Sequence, residues 1–221
     1  MNTSHAKSPR AILWDFGGVI LSSPFEAFRR YETEAGLPED FIRGLNARNP
    51  DTNAWAKMER SEVSLAGFVD LFEAEAREQG HQLDGWRVLQ SISGDIRPQM
   101  VEALRRCKAA FRVACITNNM KSGEGPSMAR SPEKARAVAE IMALFEHVVE
   151  SSRLGLRKPD PLIYRHACDL LEVPPQSCIY LDDLGINLKP ARAMGMRTIK
   201  VGDPDEAIAE LEAMVGIPLR G

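Results

Sequence analysis

A chain of 221 residues, 44% apolar and 27% charged, has the size and composition of one globular unit, or of a core carrying one modest insertion. Its formal charge is −3 with no Lys/Arg block, which argues against nucleic acid and against an anionic membrane as partners. No apolar run is long enough to span a bilayer, and the opening MNTSHAKSPR has no small-residue cleavage site, so neither a membrane span nor a secretory signal is expected. The four cysteines, Cys107, Cys115, Cys168 and Cys178, lack CxxC spacing and read as buried free thiols of a cytoplasmic protein.

In chain order, a first β-rich run spans residues 11–15, within ILWDFGGVIL. A long helical stretch follows. Ser23-Pro24-Phe25-Glu26 reads as a capping box, Ser23 capping and Glu26 reaching back. Phe25, Phe28, Tyr31 and Ala35 then recur at helical spacing, as do Leu65, Phe68, Phe72 and Ala76, ending near Gly80. An all-helical insertion is expected over residues 22–94, splitting a core made of residues 1–21 and 95–221. The segment 102–107, EALRRC, reads as a helix with a solvated charged face. Strands are expected at 111–117, 146–150, 177–182 and 197–201. Ser131-Pro132-Glu133 and Asp160-Pro161 offer helix starts with proline at the first helical position, the second helix running through Leu171. Residues 205–215 close the chain as an amphipathic helix. Several strands are near-continuous apolar runs, as a parallel sheet covered on both faces requires. The fold class is therefore α/β, a Rossmann-like parallel sheet flanked by helices, with a helical insertion after the first strand.

Ligands of such sheets bind beyond the carboxyl ends of the strands. Asp15 ends the first strand, Thr117-Asn118-Asn119 the second and Asp182-Asp183 the fourth, while Lys158 lies in GLRKPDP after the third. Carboxylates gathered at one edge repel one another unless a cation joins them, and hard oxygen donors suit Mg²⁺. A carboxylate can also attack phosphorus. A lysine balances the charge of the transferred group, and a threonine hydroxyl with nearby N–H groups can hold its oxygens.

WDFGGVIL, CITNN, LGLRKPDPLIY and IYLDDLGINLKPARAMGMRTIKV resemble, in order and spacing, the four motifs of the haloacid dehalogenase superfamily. Within it the chain looks most like the branch containing the N-terminal phosphatase domain of soluble epoxide hydrolase; ERSEVSL, inside the insertion, resembles that branch too. The resemblance implies that Asp15 is the nucleophile and a metal ligand. It makes Thr117 and Asn118 contacts to phosphate, Lys158 the charge-balancing lysine, Asp182 the carboxylate that holds Mg²⁺ and Asp183 its helper. The insertion would be the small helical cap that selects a small phosphorylated substrate. Asn187 is expected to order the fourth loop or cap its helix. Phe25, Phe28, Trp55 and Phe68 are expected in a core, and His5, His81, His147 and His166 share no metal-ligand spacing.

One position departs from the family's phosphatases. Their second aspartate, two residues after the nucleophile, protonates the leaving group and later activates water; here it is Gly17. The metal uses the backbone carbonyl at that position in the family, so Gly17 can still be a ligand, but acid–base help of about 10²–10⁴-fold has no side chain to supply it. Three readings follow. The chain is a Mg²⁺-dependent phosphatase with a substituted or slow acid step, Glu59 or Glu62 or water standing in. It is a binding or regulatory protein that keeps the phosphate pocket. Or it is a metal-independent dehalogenase, whose halide needs no proton, although Asp182 and Asp183 speak for a metal.

Overall fold

The computed structural model describes residues 8–92, 94–119 and 132–220. Among them, β1 (Ala11–Trp14) leads into five helices, α1 (Phe25–Ala35), α2 (Phe41–Ala47), α3 (Ala54–Glu59), α4 (Leu65–Glu78) and α5 (Gly85–Ser91). Then come α6 (Pro98–Ala110), β2 (Arg112–Thr117), α7 (Pro132–Met142), β3 (His147–Glu150), α8 (Ser151–Leu154) and α9 (Pro161–Leu170). The chain closes with β4 (Cys178–Asp182), α10 (Gly185–Ala193), β5 (Arg197–Lys200) and α11 (Pro204–Val215). The sheet order is β3-β2-β1-β4-β5, every pairing parallel. All five expected strands are present, within a residue of the expected ends.

Alternation along each central strand divides the side chains between two cores. Ile12, Trp14, Val113, Cys115, Ile179 and Leu181 pack on one face with Met100, Leu104, Ile208 and Leu211. Ala11, Leu13, Ala114, Ile116, Cys178 and Tyr180 pack on the other with Ile163, Tyr164, Ala167 and Leu188. Both faces are dry, which is why these strands read as unbroken apolar runs. All four cysteines are buried.

The chain leaves the sheet at Leu21 and returns at Ile96, where the two residues form an antiparallel bridge. The helices between have their own apolar cluster, built around Phe28, Phe68 and Phe72, with Phe25 and Trp55 partly buried against it. The Trp55 ring meets Phe68 edge-on at 5.2 Å, and Phe68 stacks on Phe72 at 5.1 Å. His81 packs edge-on against Phe41. No helix among the described residues is long and apolar enough to cross a membrane.

Of two helix starts expected above, one forms and one does not. Asp160 caps α9 as expected, its side chain accepting the N–H of Leu162. The capping box at Ser23 is not formed: α1 starts from Pro24 with no side-chain cap. The Ser23 hydroxyl instead donates to Asp183 Oδ2 at 3.1 Å, 160 residues away, a charge-assisted bond that turns the side chain toward the sheet edge rather than onto the helix N–H groups it was expected to accept from. The Glu26 side chain, Ser131 and His5 lie outside the described residues.

Candidate functional site

Parallel strands with short overlaps bring Asp15, Thr117 and Asp182 to one edge, since β1 lies between β2 and β4. Asp15 follows β1 directly, Thr117 ends β2 and Asp182 ends β4. Lys158 reaches the same edge from the segment between α8 and α9. Its Nζ lies 2.7 Å from Asp15 Oδ1 and 2.9 Å from Asp182 Oδ2, and its side chain is only 1% exposed.

A buried ammonium is costly unless partnered, and here two carboxylates partner it. Burial alone would pull the Lys158 pKa down, but Asp15 and Asp182 hold it above its ordinary value, so the lysine is charged. Burial pushes the Asp15 carboxyl up, with the Lys158 ammonium opposing and the Asp182 charge adding to the rise. Asp15 Oδ1 also accepts the Phe16 N–H at 2.7 Å. Its Oδ2 has no partner among the described residues.

The two acids of the fourth motif have different surroundings. Asp182 is fully buried and saturated. Its Oδ1 accepts from the Leu184 N–H and Asn187 Nδ2; its Oδ2 accepts from Lys158, Asn187 Nδ2 and the Tyr180 hydroxyl. Asn187 therefore orders this loop. Asp183 is half-buried and takes one side-chain donor, Ser23. Burial and the neighbouring Asp182 charge raise its pKa to about 6. One oxygen from each of Asp15, Asp182 and Asp183 lies within 4.8 Å of the others. Asp183, with fewer protein donors, is the acid of the pair with lone pairs to spare for a cation.

Gly17 and Gly18 are glycines for unequal reasons. Gly18 has φ +76°, and a Cβ there would lie 2.2 Å from Asp183 Oδ2, so the Asp183 carboxylate occupies the space a side chain would need. At Gly17 a Cβ would meet nothing within 4 Å. The absence of a side chain at position 17 is thus not required by packing.

Thr117 is buried at the edge. The Asn118 amide is committed to the protein: its Oδ1 accepts the Lys158 N–H at 2.8 Å, and its Nδ2 donates to the Lys158 carbonyl and to Glu59 Oε2, both at 3.1 Å. Asn119 donates to Glu150 Oε1, and its own N–H goes to Ser151 Oγ. Of the two acids expected to stand in for a proton donor, Glu62 pairs with Arg60 at 2.6 Å at the surface, which holds its carboxyl below the ordinary range. Glu59 is buried beside Asn118 and Arg157. Neither Arg157 nor Ser23 is marked for this site by its neighbours in sequence; their partners lie 98 and 160 positions away, beyond any local pattern.

A family model described as haloacid dehalogenase-like hydrolase matches residues 9–195. Bifunctional epoxide hydrolase 2 of Sus scrofa is 30% identical over 95% of this chain, which spans 39% of that protein's length. A protein of Mycobacterium tuberculosis named as a phosphatase is 31% identical, with 86% of each chain covered. Among solved structures, an enzyme of this family from Bacteroides thetaiotaomicron, in complex with magnesium and inorganic phosphate, superposes with a TM-score of 0.59 at 16% identity, covering 88% of this chain and 95% of its own.

Proposed function

We propose, given that this chain belongs to the haloacid dehalogenase-like hydrolase family, that it is a Mg²⁺-dependent phosphatase of small phosphorylated molecules, cytoplasmic, with Asp15 as nucleophile. The observation that carries this reading is the Lys158 ammonium held between Asp15 and Asp182, with Asp183 beside them. One ammonium against three carboxylates leaves two negative charges, which a divalent cation would balance, and the donors are the hard oxygens that Mg²⁺ prefers. The residues present fit the metal: Asp15, Asp183 and the Gly17 carbonyl would hold it, while Asp182, which the resemblance made the carboxylate that holds Mg²⁺, has both oxygens committed to Lys158, Asn187, Tyr180 and the Leu184 N–H and would stand behind Asp183. When bound, the ion would neutralise charge on the phosphoryl group and its carboxylate neighbours. In this reading residues 22–94 are the substrate-selecting cap, and residues 1–21 and 95–221 the core.

Lys158 and the Phe16 N–H fix Asp15 through Oδ1, which leaves Oδ2 to attack phosphorus. The P–O bond to the leaving group breaks as the Asp15–phosphorus bond forms, giving an aspartyl-phosphate. The Thr117 hydroxyl and Lys158 supply donors to the phosphoryl oxygens. Water then hydrolyses the acyl phosphate and regenerates Asp15. Because Gly17 brings no proton, substrates whose leaving group departs as a stable anion are favoured over simple alkyl phosphates.

Phosphate release from an activated aryl phosphate, measured with and without Mg²⁺, tests this directly. Metal-dependent turnover is the expected result. Chloride release from a 2-haloacid without metal would replace the reading with a dehalogenase. Metal-dependent binding of beryllofluoride or vanadate without any turnover would replace it with a phosphate-binding protein.

A further inference from the structure

Glu59 is the last residue of α3, in the helical insertion, and only 8% of it is exposed. Its Oε2 accepts from Arg157 Nε at 2.6 Å and from Asn118 Nδ2 at 3.1 Å. Those two donors flank the edge machinery: Arg157 precedes Lys158, and Asn118 follows Thr117. The Asn118 amide in turn brackets Lys158, accepting its N–H and donating to its carbonyl. This pattern leaves the amide one orientation, and the Glu59 carboxylate holds it there. Arg157 also donates through Nη1 to the Pro50 carbonyl in the insertion, at 2.8 Å. The backbone repeats the attachment, with Ser151 Oγ donating to the Glu59 carbonyl and Ser61 Oγ to the Ser152 carbonyl.

We propose that Glu59 is the positioning residue for Lys158, so that seating the insertion on the core and setting the Lys158 ammonium between Asp15 and Asp182 are one event. Burial raises the Glu59 carboxyl above its ordinary range although the Arg157 guanidinium opposes the rise. What assigns its role is geometry: its Oε2 is held on Arg157 Nε and Asn118 Nδ2, so it acts through those two side chains and not as a replacement for the acid absent at position 17. A charged group buried at a junction is a costly way to hold two surfaces together, since apolar packing would do so without a desolvation penalty. Its place beside both neighbours of the site gives that charge a use that adhesion alone does not. The kinetic part of this inference rests on the phosphatase reading; the geometric part does not.

Glu59→Ala and the milder Glu59→Gln test it in the full chain, with Glu62→Gln as the surface control. Amide hydrogen exchange at Lys158 is expected to speed up about tenfold or more in Glu59→Ala, with Glu59→Gln intermediate and the amides of Leu13 and Tyr180 in the sheet unchanged. With an activated aryl phosphate, kcat is expected to fall about 10–100-fold while KM stays within about threefold. The fall should be the same for good and poor leaving groups. If Glu59→Ala does not fold, Glu59→Gln carries both measurements. Unchanged exchange at Lys158 overturns the proposal, as does a loss confined to poor leaving groups, which would make Glu59 a proton donor. A wild-type protein without phosphatase activity defeats the functional reading alone, and the exchange measurement still decides the positioning role.

Discussion

The carboxyl edge of the sheet and the helical insertion are built on opposite principles. At the edge, position comes from backbone: parallel register puts Asp15, Thr117 and Asp182 side by side, and charges then pair across it. In the insertion, position comes from apolar side chains packed around Phe28, Phe68 and Phe72. The two meet through a few polar groups, chiefly Glu59 with Arg157 and Asn118, and Ser23 with Asp183. The difference teaches that backbone register can choose which residues meet at the edge, while the final setting of one of them, Lys158, is shared with a separately packed unit.

Substitutions that strike one region and spare the other test this division. The largest effect is expected from Asp15→Asn, which removes the proposed nucleophile: phosphate release should fall to the uncatalysed background while circular dichroism and sheet amide protection persist. Phe68→Ala removes a fully buried ring from the insertion's cluster and should cost about 3–5 kcal/mol in denaturant unfolding, with amide protection lost first in α3 and α4 and last in β1 and β4. Uniform loss across both regions would mean that they unfold as one. Gly18→Ala should cost about 1–2 kcal/mol for its left-handed φ and also weaken Mg²⁺ binding in calorimetry, because Asp183 must move. Gly17→Ala, with open space around it, should change stability by less than about 0.5 kcal/mol. Equal costs at the two positions would contradict the contrast between them.

Much of the edge was legible because chain order itself places strand-end residues together in a parallel sheet. Asp15, Thr117, Lys158, Asp182 and Asp183 were named from strand ends and motif order, and the structure brings them to one edge. What stayed hidden involves partners distant in the chain. Ser23 looked like a helix cap because Ser-Pro-Phe-Glu is a local pattern, yet its hydroxyl serves Asp183. Glu59 and Glu62 looked equivalent three residues apart; one is buried and bound to Arg157, the other exposed beside Arg60. The unequal surroundings of Asp182 and Asp183 were unreadable for the same reason, since Lys158, Asn187 and Tyr180 all converge on the first and none of them on the second. Aromatic periodicity did reveal the insertion's core, because helical spacing is local.

The central proposal is that the edge serves as a phosphatase site without a proton donor at position 17, where an added Cβ would meet nothing within 4 Å. Gly17→Asp tests it most directly, through kcat/KM measured across aryl and alkyl phosphates of increasing leaving-group pKa at saturating Mg²⁺. The account predicts a gain of about 10²-fold or more for the poorest leaving groups, little change for the best, and unaltered Mg²⁺ affinity. A folded variant that binds Mg²⁺ as the parent does and gains nothing on alkyl phosphates would contradict it.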